Sequence, residues 1–122
     1  MTDKETDRLV ETMQFVNTWD ATPDARALSV TTRWLVRSLV YIALDGRKSV
    51  TISGRRMVIV VDAGHAFIGK FMRRKSSSVK TQIRNAKNGG ILSTERGGPG
   101  MDGTIVVELC IPDGFVNPWG EE

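Results

Sequence analysis

Residues 76–92 constrain the fold more than any other stretch of this 122-residue chain. Val79, Ile83 and Ala86 follow one another at spacings of four and three, the spacing of one buried helix stripe. A glycine pair then supplies the backbone freedom that ends a helix, and two apolar residues follow it. The sequence therefore predicts a short helix that stops sharply and leads into a buried strand.

The remaining positions of this helix form a polar outer face without an acidic residue. Ser76, Ser77 and Ser78 open the run, and a serine side chain that accepts a hydrogen bond from a first-turn amide is a good N-cap. The outer face carries Lys80, Thr81, Arg84, Asn85, Lys87 and Asn88. A helix that is apolar behind and cationic and amidic in front fits the major groove of DNA. The simpler interpretation is a solvated surface helix.

Charge is distributed unevenly along the chain. Residues 1–24 hold two cations and six acids, residues 25–96 hold fifteen cations and three acids, and residues 97–122 hold five acids and no cation. The net charge of +3 therefore combines segments of −4, +12 and −5. A basic middle between acidic ends indicates a surface that binds a polyanion.

Length and composition indicate one compact domain, since 122 residues that are 40% hydrophobic can form a single core. No apolar run approaches the ~20 residues that cross a bilayer, and the acidic amino terminus predicts no secretory signal. Cys110 is the only cysteine and lies in the apolar run TIVVELCI, which indicates a small core residue rather than a nucleophile. We therefore expect a cytoplasmic protein without membrane association.

Helical periodicity also marks two segments in the first third of the chain. Residues 5–19 have an apolar stripe, which packs either on the domain itself or on a second copy. Residues 25–45 are apolar around most of the circumference, Trp34 included, and this predicts one central core helix. In residues 63–74, Phe67 and Phe71 stand four apart, which predicts a further helix.

Two segments read as β-structure. Residues 49–62 are rich in β-branched residues around a Ser-Gly-Arg turn, which predicts a hairpin; the alternative is one strand followed by a helix capped by Ser53. Later, ILSTER and TIVVELCI flank a loop of glycine and proline, which predicts a second hairpin. The tail at 113–122 is expected to be irregular, with Phe115 and Trp119 held by the core or by a partner.

This order of elements resembles the winged helix-turn-helix family, most clearly over residues 67–109. Residues 67–72 resemble the first helix of the pair, 73–76 the turn, 77–88 the recognition helix, and ILSTER–GGPGMDG–TIVVEL the wing. The resemblance implies an α+β fold with a helical core, a C-terminal two-stranded wing and an extra N-terminal helix. It divides the chain into an acidic helix at 1–24, the winged domain at 25–112 and the tail.

Three features depart from that family's pattern. Arg73 and Arg74 occupy the turn positions where a glycine and a short apolar residue are usual. The strand region before the helix pair is longer than the single short strand of the family. The wing loop has no cation at its tip, and only Arg96 stands near its base.

The residues give no support for catalysis. His65 is the only histidine, and no Asp, Glu or His cluster has the spacing of metal ligands. The glycine-rich loop at 97–100 lacks the Gly-Lys-Ser/Thr ending of a phosphate-binding loop. We therefore expect a protein that is not an enzyme and that uses no metal or cofactor.

Sequence-specific binding of double-stranded DNA is the leading hypothesis, as a small transcriptional regulator or a replication or recombination accessory protein. Base edges are assigned to Thr81, Arg84 and Asn85. The residues assigned to phosphates are Lys75, Lys80, Lys87, Ser76, Ser77 and Ser78, with Arg96 at the wing base. A homodimer is expected, because one short helix gives little specificity.

Two other hypotheses compete with DNA binding. The first is a protein-binding adaptor or inhibitor of phage or plasmid type, which would use the acidic ends and the aromatic residues near them. The second is binding of structured RNA, which composition alone does not separate from DNA binding.

Overall fold

The computed structural model describes residues 3–46, 48–96 and 103–116, with the backbone alone at residues 93–96. The fold is α+β, and the helices surround one face of an antiparallel sheet. In chain order the elements are α1 (Asp3–Asp20), α2 (Pro23–Arg26), α3 (Val30–Leu44), β1 (Lys48–Ser53), β2 (Arg56–Asp62), α4 (His65–Met72), α5 (Ser76–Asn88), β3 (Leu92–Arg96) and β4 (Thr104–Cys110).

The four strands lie in the order β1-β2-β4-β3, and every neighbouring pair is antiparallel. Both predicted hairpins are therefore confirmed, including β1–β2 against the strand-and-helix alternative. The inner face of the sheet buries alternate residues, as period-two patterning requires. These are Val50, Met57, Ile59, Val61, Ile105, Val107 and Leu109. Helix α3 packs against β1, β2, α4 and α5 and is the centre of the core.

Helix α1 packs on its own domain through its C-terminal half. Phe15, Val16 and Trp19 are buried in the same core as α3 and the sheet. This confirms the first of the two interpretations of that helix. The first turns of α1 are exposed, and there the Arg8 guanidinium donates a hydrogen bond to the Val50 carbonyl oxygen on edge strand β1.

The prediction of one helix over residues 25–45 is wrong, because the chain breaks it into α2 and α3. Thr22 caps α2, with its hydroxyl accepting from the Ala25 amide at 3.3 Å. Ser29 then starts a new helix, and its hydroxyl accepts from the Thr32 amide at 3.1 Å. Each cap satisfies an amide that would otherwise lack a partner, so the four-residue α2 and the fifteen-residue α3 replace one continuous helix.

Two side chains predicted to belong to the core, Trp34 and Cys110, are exposed, and so are Phe67 and Phe71, for which the spacing predicted only a helix. Trp34 lies on the outward side of α3, and Phe67 and Phe71 lie on the outward side of α4. Cys110 is also exposed rather than part of the core. Because successive strand residues point to opposite faces, burial of Leu109 turns Cys110 outward.

Some predictions fall on the C-terminal region of the chain. Phe115 is partly buried against the core, which agrees with the first of the two alternatives for this residue, the core or a partner. The wing loop at 97–102 and Trp119 lie outside the described residues. Within the described ranges, no helix combines the length and the apolar character needed to cross a bilayer.

Candidate nucleic-acid interface

Helices α4 and α5 are joined by a tight turn that forces them close together. The Arg73 amide bonds to the Lys70 carbonyl oxygen and the Arg74 amide to the Gly69 carbonyl oxygen, at 3.3 and 2.8 Å. This six-residue closure is a Schellman motif, and it requires one residue in the left-handed conformation. Arg73 takes that conformation, with φ +58°. The arginine therefore takes the conformation that glycine usually takes in such a turn.

The end of α5 repeats the same motif with glycine. Gly90 has φ +79°, its amide bonds to the Lys87 carbonyl oxygen, and the Ile91 amide bonds to the Ala86 carbonyl oxygen. The predicted stop at the glycine pair is confirmed. Ile91 is buried directly afterwards, so the chain enters β3 from the core side.

The prediction that the serine triplet caps α5 is wrong. The N-cap is Lys75, whose side chain makes no capping hydrogen bond, and Ser76–Ser78 form the first turn of the helix. The first-turn amides are consequently not satisfied by a side-chain cap. Two of the three serines are exposed, and Ser78 is half-buried.

The inner stripe of α5 holds the helix firmly against the domain. Val79, Ile83 and Ala86 are all buried, as the spacing predicted. With 100° between successive residues, the side chains opposite this stripe project furthest from the domain. These are Ser77, Thr81, Arg84 and Asn88, all exposed. Lys80 and Lys87 lie along one edge of this outer face, and Asn85 lies along the other.

Two cations of this face, Lys80 and Arg84, and Lys75 at the N-cap are not neutralised by the part of the chain that the structure describes. Lys75, Lys80 and Arg84 are exposed and take part in no salt bridge there. Thr81 is also exposed, and its hydroxyl donates to the Ser77 carbonyl oxygen at 3.1 Å. The outer face therefore retains its positive field. The side chain of Arg96, at the end of β3, lies outside the described residues.

Gln82 is a residue of this site that the sequence did not single out. Its side-chain oxygen accepts a hydrogen bond from the Thr32 hydroxyl at 2.6 Å and a longer one from the Asn85 amide at 3.4 Å. Thr32 in turn contacts the Ser29 hydroxyl at 2.9 Å. This network, Ser29–Thr32–Gln82–Asn85, connects the start of α3 to the outer face of α5. The sequence did hold a signal for this contact, because the helical spacing places Gln82 beside the buried stripe of α5.

The other arginines of the basic segment are used differently. Arg26, Arg33 and Arg37 converge on the Asp20 carboxylate at 3.7, 3.5 and 3.9 Å. This cluster ties the end of α1 to α2 and α3. It also shows that part of the positive charge counted in the sequence has a structural role, whereas the charge on α5 projects outward.

The described residues contain no group of three or more His, Cys, Asp or Glu side chains placed to hold a metal ion. His65 is the half-buried first residue of α4. Comparison with protein-family models, with curated proteins and with solved structures gave no match to this chain.

Proposed function

We propose that this protein binds double-stranded DNA in a sequence-dependent manner by laying α5 in the major groove. The observation that carries the proposal is the outer face of α5, which is exposed, has no acidic residue and includes Lys80 and Arg84, two exposed cations. An α-helix fits the width of the major groove, where the edges of the base pairs can be distinguished.

The arrangement around α5 supports this mode of binding. A reading helix must be held rigidly, and α5 is held by a buried apolar stripe and by the short turn from α4. The order α3–β2–α4–α5–β3–β4, with β2 beside β4 and β4 beside β3, agrees with a winged helix-turn-helix. The additional strand β1 is the longer strand region that departs from the family pattern.

The proposed contacts divide into positioning and reading. Lys75 and Lys80 bind phosphates, because a lysine ammonium is a compact charge without directional preference. Lys87 and the first-turn serines assist them, and the uncapped first-turn amides of α5 favour an anion in the same way. Arg84 and Asn85 read base edges, since arginine pairs with guanine and asparagine with adenine. Thr81, at the centre of the outer face, contacts a base edge through its hydroxyl oxygen or its methyl group.

Selection from random duplexes with the purified protein, followed by fluorescence anisotropy at several salt concentrations, tests the proposal. Arg84→Ala is expected to lose about 1–3 kcal/mol on the selected duplex and to flatten the preference over a scrambled one. Lys80→Ala is expected to weaken both duplexes alike and to lower the salt slope by about one. Lys4→Ala, which removes an exposed cation on α1, is the matched control and should change neither quantity.

Retention of both affinity and preference by Arg84→Ala would contradict the assigned role of that residue. Failure of the wild-type protein to bind any duplex at moderate salt would contradict the proposed function as a whole.

A protein-binding adaptor is the second candidate, and the first two turns of α1 favour it. The exposed side chains of residues 3–11 include four acids and two cations, a net charge of −2. Such a surface suits a basic protein partner. In this case a pull-down would recover one specific protein, and duplex selection would yield no enriched sequence.

A further inference from the structure

One side of the molecule exposes large apolar residues on two adjacent helices. Val30, Trp34 and Tyr41 lie on the outward side of α3, and Phe67 and Phe71 lie on the outward side of α4. Their exposed fractions are 73, 46, 43, 37 and 44%, respectively. We call these five residues the aromatic surface. An apolar group of this kind on a small domain usually marks an interaction site.

The two halves of the aromatic surface adjoin one another. The Tyr41 and Phe71 rings lie with their centroids 6.4 Å apart and their planes tilted by 31°. On α3, Val30, Trp34 and Tyr41 are separated by four and seven residues, so they share one side of the helix. On α4, Phe67 lies one turn from Phe71 and shares its side. The five residues therefore form one surface across both helices.

We propose that the aromatic surface is the interface between two copies of this chain. Its composition fits an interface centre, because tryptophan and tyrosine are enriched among the residues that dominate binding energy. Arg37 lies between Trp34 and Tyr41 on the same side of α3, and its charge is paired there with the Asp20 carboxylate at 3.9 Å. At its borders the exposed side chains carry both signs, with Asp45 at the end of α3 and Lys70 on α4. A rim of both signs can complement itself across a two-fold axis, whereas a rim of one sign would repel its copy.

The exposed area is close to what a stable dimer requires. Taking about 200 Å² for each aromatic residue, the four aromatic side chains expose about 340 Å² in each copy. Val30 increases this area. A standard interface covers about 800 Å² per partner, of which about 60% is apolar, and so needs about 480 Å² of apolar area. The aromatic surface supplies most of that area without any rearrangement of the backbone.

The dimer has a consequence that rests on the proposed function. Two copies related by a two-fold axis present two α5 helices, which can occupy half-sites separated by one helical turn of DNA. The aromatic surface belongs to α3 and α4 and includes no residue of the α5 outer face. Dimerisation and DNA contact therefore use different residues.

The mass of the protein in solution, measured by sedimentation equilibrium without DNA, tests the interface. The preparation is treated with nuclease and measured at low and high salt, so that bridging by nucleic acid is removed. The wild-type protein is expected to form a dimer that high salt does not dissociate, because its contacts are apolar. Trp34→Ser and Phe71→Ser are each expected to raise the dimer dissociation constant at least about tenfold.

Val10→Ser is the matched control, since Val10 is 49% exposed on α1 and lies outside the aromatic surface. This variant should dimerise like the wild-type protein. Circular dichroism and thermal unfolding establish that each variant is folded, and Tyr41→Ser replaces any variant that is not.

A wild-type protein that is monomeric at about 100 µM, well above the micromolar range of moderate affinities, would overturn the proposal. Folded Trp34→Ser and Phe71→Ser variants that dimerise like the wild-type protein would also overturn it. Loss of the dimer in Val10→Ser alone would do the same. Because no DNA is present, these results do not depend on the proposed function. A failure of duplex binding would leave the mass measurement valid.

Discussion

Replacing Gly69 with alanine should measure how closely α4 and its following turn are packed. A Cβ atom at this position would lie 2.6 Å from the Arg74 carbonyl oxygen and 3.6 Å from the Val79 Cγ2 atom. The first contact is with backbone, and that backbone is fixed because the Arg74 amide is bonded to the Gly69 carbonyl oxygen. The turn must therefore move by several tenths of an ångström.

The expected magnitude is the difference between two effects. Overpacking of a fixed contact costs about 3 kcal/mol, toward the upper end of the usual range. Alanine in place of glycine within a helix returns about 1 kcal/mol. Gly69→Ala should therefore lower the free energy of unfolding by about 2 kcal/mol, measured from urea denaturation with an unchanged m-value.

Gly89→Ala is the matched control for this experiment. A Cβ atom there would lie 2.7 Å from the Leu28 Cδ2 atom, nearly the same distance as at Gly69. The contacted atom, however, is the end of a side chain that can rotate, and Gly89 already has a right-handed φ of −80°. The free energy of unfolding of this variant should lie within about 0.5 kcal/mol of the wild-type value. Equal stabilities for the two variants would refute the reasoning, because they would show that the α4–α5 turn yields as easily as a leucine side chain.

Three further predictions follow from the described contacts. Arg73→Gly should raise the free energy of unfolding by about 1 kcal/mol in urea denaturation, because glycine adopts a φ of +58° without the steric cost that arginine bears. Asp20→Asn should lower the free energy of unfolding by about 1–2 kcal/mol, because three arginines lose their shared carboxylate. Asp113→Asn is the control: Asp113 is fully exposed in its pair with Arg55, and the change should be less than about 0.5 kcal/mol. Cys110 should react with a thiol reagent in the native protein as fast as in urea, because it is exposed. Slow labelling of the native protein would contradict the position of Cys110 on the outer face of the sheet.

Much of the architecture could be predicted from residue periodicity. Richness in β-branched residues located β1, β2 and β4, and the stripe of Val79, Ile83 and Ala86 located α5 and its buried side. The glycine pair located the C-terminal end of α5. These features are local, since each depends on the residues of one element and on their spacing.

The errors concern choices that periodicity does not determine. The break between α2 and α3 depends on Ser29. An N-cap serine stabilises the start of a helix by about 1 kcal/mol, and it does so without changing the apolar pattern of the sequence. Trp34 is as apolar as its buried neighbours, so its exposure depends on which side of α3 has a packing partner. For Cys110 the signal was present, because the alternation that buries Leu109 requires the next residue to face outward.

The sequence predicted which residues form the candidate site better than it predicted their conformation. The exposed cations and the acid-free face follow from the sequence, whereas the N-cap at Lys75 and the left-handed Arg73 do not. Glycine is favoured in a left-handed position, so an arginine there gives no local signal. The contact between Thr32 and Gln82 joins residues fifty positions apart and depends on the tertiary fold.

The hydrogen-bond network from Ser29 to Asn85 has a fixed direction. The Gln82 side-chain oxygen can only accept, so the Thr32 hydroxyl must donate to it, and the Ser29 hydroxyl must then donate to Thr32. The Asn85 amide nitrogen donates to the Gln82 side-chain oxygen, so the Asn85 side-chain oxygen is not used in this contact. On the proposed mode of binding, Asn85 meets an adenine amino group with its acceptor already oriented and loses less rotational freedom when it binds. If α5 binds DNA as proposed, a serine that begins α3, without any contact to the ligand, would help to choose the base that α5 recognises.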